Sequence, residues 1–135
     1  MSNLPIFDVT GSAMQAQAVR LNTVASNLAN ANTIAGTPEG AYRAKQPVFA
    51  ADPVAAHPTL AGVRVTEVRE STNAPVKRYD PGNPLADPQG YVYAPDIDPV
   101  AQMVDMISAS RSYQANVEVF NSAKELAVAT LNMGR

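Results

Sequence analysis

The chain has 135 residues, 46% of them apolar, with 10 basic residues against 12 acidic ones for a net charge of −2. Zero cysteines exclude disulfides, thiolate metal sites and cysteine nucleophiles, and the absence of a basic stripe speaks against binding nucleic acid by phosphate neutralisation. The length bounds the chain to one compact domain, or one small domain with appendages. Of the apolar residues 23 are alanine and only 39 are Val, Ile, Leu, Met, Phe or Tyr, a thin supply for an isolated core that points to help from neighbouring subunits.

Ten of the 11 prolines lie between Pro38 and Pro99, so two nearly proline-free arms flank a punctuated middle. The N-terminal arm reads as a helix from between Pro5 and Asp8 to about Asn32, stopped by Gly36 and Pro38. Phe7, Met14, Leu21 and Leu28 recur at seven-residue spacing, a narrow coiled-coil-like seam. Gly11, Ala18 and Ala25 beside it would allow another helix to approach closely, with Val24 on the flank.

Short strand-like runs fill the middle at Ala44 to Ala50, Gly62 to Arg69, Pro75 to Tyr79 and Tyr91 to Tyr93, with prolines confining some of them to sheet edges. The Pro/Ala-rich stretch 51–61 is expected to be a mobile loop carrying His57, the single histidine, in solvent. The segment Asp80-Pro81-Gly82-Asn83-Pro84 suits a tight turn, with Pro81 setting φ and Gly82 free to take φ > 0.

The C-terminal arm is the longer helix, with Asp98 as cap, Pro99 at the first position and Gly134 at the end. Val100, Met103, Val104 and Ile107 make one stripe, and Met106, Tyr113, Phe120 and Ala127 continue at seven-residue spacing with Val117 and Leu131 beside them. The predicted fold is therefore mainly α with a small β-rich insert (α+β). The arms 1–33 and 98–135 pair as a coiled-coil-like layer around an insert at 34–97.

Chemistry is sparse. There is no phosphate-cradling glycine loop, Gly-x-Ser-x-Gly elbow or His-x-x-x-His pair, and Asp80, Asp87, Asp96 and Asp98 lack the spacing of a cation loop and read as turn and cap residues. No catalytic, cofactor-binding or metal-ligating residue is expected, nor a small-molecule substrate; the chain reads as a non-enzyme. No stretch approaches the ~20 apolar residues of a membrane span, and the first arm offers only Arg20 to a membrane surface, so no direct membrane insertion is expected. Asn22, Asn27 and Asn30 on the first arm and Gln114 and Asn116 on the second are either a solvated face or a polar edge that hydrogen-bonds to other helices and fixes register.

Ser12-Ala13-Met14, Arg20-Leu21-Asn22 and the run Val24-Ala25-Ser26-Asn27-Leu28-Ala29-Asn30-Ala31-Asn32-Thr33 resemble the N-terminal signature of bacterial flagellar axial proteins. Ser108-Ala109-Ser110-Arg111-Ser112-Tyr113-Gln114-Ala115-Asn116 is similar to their C-terminal motif. Tyr42-Arg43-Ala44-Lys45-Gln46, the block from Tyr79 through Pro81, Gly82, Asn83 and Pro84 to Asp87, and Gly90-Tyr91-Val92 resemble the short proximal rod group of the flagellar basal body. In many axial relatives Gly-Tyr directly follows the Asn-x-x-Thr element, whereas here Gly40 and Tyr42 come several residues later.

The resemblance implies a structural subunit of the periplasmic rod, exported by the flagellar type III apparatus without a cleaved signal. The partners it implies are other rod subunits, basal-body ring or export-gate adaptor proteins, and that apparatus. A type III-secreted helical adaptor or effector is the alternative. Candidate helix-packing and subunit-contact residues are Phe7, Met14, Leu21, Val24, Asn27, Leu28 and Asn30 on the first arm. On the second they are Met103, Ile107, Tyr113, Gln114, Asn116, Val117, Phe120 and Leu131. The arms are expected to be largely disordered in the monomer and to become helical on assembly.

Overall fold

The computed structural model describes residues 5–54 and 57–134, with the backbone alone for His57 and Pro58. Helix α1 runs Pro5–Asn30, strands β1 Lys45–Val54 and β2 His57–Glu70 follow, then β3 Val76–Tyr79, β4 Tyr91–Ala94 and helix α2 Pro99–Met133. The mainly helical α+β plan is the predicted one. Helix α2 starts as its sequence dictates: Asp98 is the N-cap, its carboxylate accepting from the Val100 N–H at 2.9 Å, Pro99 needs no N–H partner in the first turn, and Gly134 is the C-cap.

The two helices pack antiparallel. Phe7 meets Phe120 edge-on with ring centroids 4.9 Å apart, Arg20 pairs with Asp105, and Asn27 Nδ2 donates to Gln102 Oε1 at 3.1 Å. Two small residues are buried along the pair's length, Ala16 of α1 at 2% exposure and Ala109 of α2 at 0%. The seven-residue seam is not the buried line. Phe7, Met14, Leu21 and Leu28 are all half-buried, while Thr10, Ala16, Thr23, Val24 and Asn27 are fully buried, centred roughly 100° round the axis. Nor are Gly11, Ala18 and Ala25 the close-approach points: a Cβ on Gly11 would meet nothing within 4 Å, and Ala25 is exposed. The reason is that α1 is covered from two sides, by α2 and by the β1–β2 hairpin, so its buried arc is wider than one seam.

That hairpin overturns the expected loop at 51–61. Strands β1 and β2 pair antiparallel from Lys45↔Glu70 through Asp52↔Gly62 and Pro53↔Ala61 to Val54↔His57, with register shifts at Val48/Phe49 and Pro53/Val54. A two-stranded ribbon gives each strand one free edge, where a proline's missing N–H costs no ladder bond, and the two irregularities absorb the rest. The His57 backbone thus opens β2; its side chain lies outside the described residues, as do Ala55 and Ala56.

The hairpin is fastened along α1 at two points. Near one end Lys45 bonds to Asn27; near the other the Val63 N–H donates to Ser12 Oγ at 3.1 Å while that hydroxyl donates to the Val9 carbonyl at 2.8 Å. The spans agree: fifteen helical residues from Ser12 to Asn27 rise ~22 Å, and the strand from Lys45 to Asp52, the partner of Gly62, rises ~23 Å. Gly62 permits the approach, because a Cβ there would sit 2.6 Å from Ser12 Oγ.

Strands β3 and β4 form a second antiparallel pair, Val76↔Ala94 to Tyr79↔Tyr91. Ala35 bridges the free edge of β4 through two bonds with Tyr93, of 2.8 and 2.9 Å. Val92, at the middle of β4, is completely buried.

Candidate assembly surface

Asn27 of the N-terminal signature and Tyr42, Arg43 and Lys45 of the central motif meet at the junction where α1 ends, β1 begins and α2 begins. Asn27 is 2% exposed and fully bonded: Oδ1 accepts from the Lys45 N–H (2.8 Å) and the Tyr42 hydroxyl (3.1 Å), and Nδ2 donates to the Lys45 carbonyl (2.8 Å) and Gln102 (3.1 Å). Because the Tyr42 proton goes to Asn27, the Ser26 hydroxyl donates to Tyr42 at 2.9 Å. Arg43 then reaches the Ser71 and Asn73 carbonyls at 3.3 and 3.1 Å, and Asn73 Nδ2 donates to Asp96 at 2.9 Å. The late Tyr42 therefore returns to the helix it left. Of the asparagines, Asn27 is the one that hydrogen-bonds across to the other helix, at Gln102. Asn30 and Asn116 instead bond their own helices at the Ser26 and Ser112 carbonyls, and Asn22 and Gln114 are exposed.

The block 79–91 is a second organised unit. Tyr79 and Tyr91 pack edge-on at 5.2 Å, and Lys77 Nζ sits 4.1 Å above the Tyr91 ring. The Asn83 N–H donates to the Asp80 carbonyl at 3.1 Å, closing the predicted turn over Pro81 and Gly82, with Pro84 exposed beyond it. Gly82, however, does not take a positive φ. Gly90 does, at 83°, because the chain must double back to return its carbonyl to the Asp80 N–H at 2.9 Å. A Cβ on Gly90 would fall 2.9 Å from the Tyr79 ring. The Asp87 carboxylate accepts from the Tyr91 and Gln89 N–H groups (2.9 Å each) and the Tyr93 hydroxyl (3.3 Å). These bonds, led by the Tyr91 N–H and assisted by the charge of Lys77, outweigh the opposing desolvation and hold the carboxyl below its ordinary range. Asp80, Asp87 and Asp98 act in turns and a cap, each bonded within four residues, whereas Asp96 is not the expected turn or cap residue: it accepts from Asn73, 23 positions earlier, and ties two segments together.

Helix α2 turns its apolar side the unexpected way. The residues facing α1 include Gln102, Asp105, Ala109 and Phe120. Val100, Met103, Val104 and Ile107 lie on the opposite side, with Val100 67% and Val104 62% exposed. Tyr113 is also exposed, and Asn116, Val117 and Phe120 are half-buried. The pairings place Pro5 opposite about residue 122, so about eleven residues of α2 (~16 Å) extend past it. That segment exposes Leu126 and Leu131, the latter by 74%. The two expected stripes of α2 thus face different ways: Phe120 of the second packs within the chain, whereas Met103 and Ile107 of the first, and Leu131 beside the second, face outward.

Sequence reading missed the Arg20–Asp105 pair, the Ser12–Gly62 contact and the special role of Gly90. The first had a signal: Arg20 is the only charge between Asp8 and Glu39, and Asp105 the only one between Asp98 and Arg111.

A family model described as flagella basal body rod protein matches residues 7–34, and one described as flagellar basal body rod FlgEFG protein C-terminal matches residues 89–133. The first spans α1 and the second β4 and α2. The flagellar basal-body rod protein FlgC of Salmonella typhimurium is 52% identical over 136 residues, covering 100% of both chains. That of Escherichia coli O6:H1 is 50% identical over 135 residues, again covering 100% of both. That of Aquifex aeolicus is 46% identical over 121 residues, covering 88% of this chain and 87% of its own. The chain belongs to the flagellar basal-body rod protein C family, structural subunits of the proximal rod.

Proposed function

We propose that the chain builds the rod by letting neighbouring subunits cover the outward stripe of α2, its projecting C-terminal turns and the half-buried Met14, Leu21 and Leu28 flank of α1. The observation that carries this is the inversion in α2, whose polar and alanine side is spent on α1 while four aliphatic side chains face solvent. Apolar surface of that kind marks a contact. Contacts between different patches on successive subunits need not close and so generate a helical filament. On this reading the chain leaves by the type III export apparatus without a cleaved signal and joins other rod subunits, and ring or export-gate adaptor proteins, in a periplasmic drive shaft. A cysteine-free chain with few fully buried large side chains is suited to travelling unfolded.

The test is an in-frame deletion complemented from a plasmid, with swimming assays and electron microscopy of isolated basal bodies. Loss of the rod, restored by the unchanged copy and not by Val104→Asp or Ile107→Asp copies that are still exported, is the expected result. Leu21→Asp and Phe120→Asp are expected to block assembly with export intact, Phe120 through its contact with Phe7. Intact rods and normal swimming in the deletion would return the secreted adaptor to first place.

A further inference from the structure

We infer that Arg20 and Asp105 are positioning residues that set the stagger of the helix pair, and with it how far α2 projects beyond α1. The part of this that concerns assembly rests on the function proposed above. Away from Phe7 and Phe120, the side of α2 that faces α1 includes Gln102, Asp105 and Ala109, polar or small side chains that key the seam weakly. A shift of one turn keeps a similar face in contact. Besides the end contacts Phe7–Phe120 and Asn27–Gln102, what separates the registers along the middle of the pair is where the two lone charges fall. In the observed register Arg20 lies against Asp105, with Phe7 on Phe120 and Asn27 on Gln102.

Slide α2 one turn one way and Arg20 comes opposite Ala109, which is 0% exposed, while Asp105 comes opposite the buried Val24. Slide it the other way and Asp105 comes opposite the buried Ala16. A half-exposed ion pair contributes little by itself, but an uncompensated charge pressed on buried apolar surface is strongly disfavoured. The pair therefore selects the register by what the alternatives cost. Each turn of slip would change the projection of α2 by ~5.4 Å, displacing Leu126 and Leu131 from where a neighbour meets them.

The lack of native cysteine allows a direct register readout. One heptad along from Arg20–Asp105 the observed register opposes Ala13 and Ser112, whereas one-turn slips oppose Ala13 to Ser108 or Asn116. Full-length chains carrying Ala13→Cys with Ser112→Cys, Ser108→Cys or Asn116→Cys are expressed in the deletion strain and treated with a short thiol cross-linker. With Arg20 and Asp105 intact, only the 13–112 pair is expected to cross-link. Arg20→Asp or Asp105→Arg alone should reduce that product at least tenfold, raise the 13–108 or 13–116 product and abolish swimming. The exchanged pair Arg20→Asp/Asp105→Arg should restore the 13–112 product and swimming.

Retention of the 13–112 product in the single variants would overturn the register role. So would its loss with no slipped product, or its loss without recovery in the exchanged pair. A slipped register that leaves swimming normal would uphold the register role and overturn its link to assembly.

Discussion

The side-chain amide of Asn27 and the backbone of Lys45 exchange two hydrogen bonds of 2.8 Å each, so the helix residue pairs with the first residue of β1 as a neighbouring strand would. With Tyr42 and Gln102 taking the remaining capacity, one buried amide ties together the end of α1, the start of the hairpin and the first turn of α2. The price of a poor helix former in mid-helix, about 0.5 kcal/mol, is small beside what the four bonds organise.

Replacing Asn27 is therefore expected to loosen the whole junction. In Asn27→Ala the Lys45 N–H and carbonyl are both left without their partner, at a cost of about 2–4 kcal/mol. Asn27→Asp should fare no better, because its carboxylate still accepts from Lys45 N–H but now faces the Lys45 carbonyl. Gln102→Ala, which removes one neutral bond, should cost about 1 kcal/mol. Urea dissociation of isolated rods gives the ranking; an Asn27→Asp midpoint equal to that of the unchanged protein would contradict it.

The two glycines of the 79–91 block should respond in opposite ways. Gly90 sits at φ 83° with the Tyr79 ring 2.9 Å from where a Cβ would be, so Gly90→Ala should cost about 1–3 kcal/mol. Gly82 has an ordinary φ and nothing within 4 Å of a built Cβ, so Gly82→Ala should be neutral or stabilising by up to ~1 kcal/mol. Comparing the urea midpoints of the two variants checks this, and a more damaging Gly82→Ala would reverse the assignment.

Both glycines show what was legible in the sequence. The helix ends were, because Asp98, Pro99 and Gly134 act locally and need no tertiary partner. The turn over Pro81 and Gly82 was too, but which glycine must be left-handed depends on the pairing of β3 with β4. The strand content of 51–61 was hidden by its prolines, which a central strand would reject and a two-edged ribbon tolerates. The seam through Phe7, Met14, Leu21 and Leu28 was visible as a pattern. Which arc of α1 is buried was not, since that follows from the hairpin lying along the helix, a contact between Ser12 and Gly62 fifty residues apart.

Asp87 gives the β3–β4 unit a defined acid response. Its carboxyl is held below the ordinary range near pH 4, first by the Tyr91 N–H. The stabilisation is fully present above that range and is lost as the pH falls below it through the lowered folded value. Tyrosine fluorescence should therefore report loosening of the unit only on the acid side of pH 4, since Tyr79, Tyr91 and Tyr93 lie in it and the chain has no tryptophan. Asp87→Asn should be less stable at neutral pH and should flatten that acid slope. An unchanged slope in Asp87→Asn would assign the acid response to another carboxylate.

The same accounting bears on the state of the free subunit. Helices of 26 and 35 residues make up 61 of the 135, yet the fully buried apolar residues among those described are Ala16, Val24, Ala31, Ala41, Val92 and Ala109. Four of the six are alanines, whose burial removes little surface from water. The arms also carry Gly11, Asn22, Asn27 and Asn30 and several β-branched residues, none of which favours an isolated helix. Helical stability in proteins comes mostly from packing an apolar face, and the apolar face of the first turns of α2 points to solvent. The arms are accordingly expected to be largely disordered in dilute monomer and to gain helix when neighbours cover that face. Circular dichroism across a concentration series should show well under the 61-residue helical signal at the dilute end, with a rise on association. A full helical signal at the lowest concentration would mean that the helix pair stands alone and that assembly merely docks it.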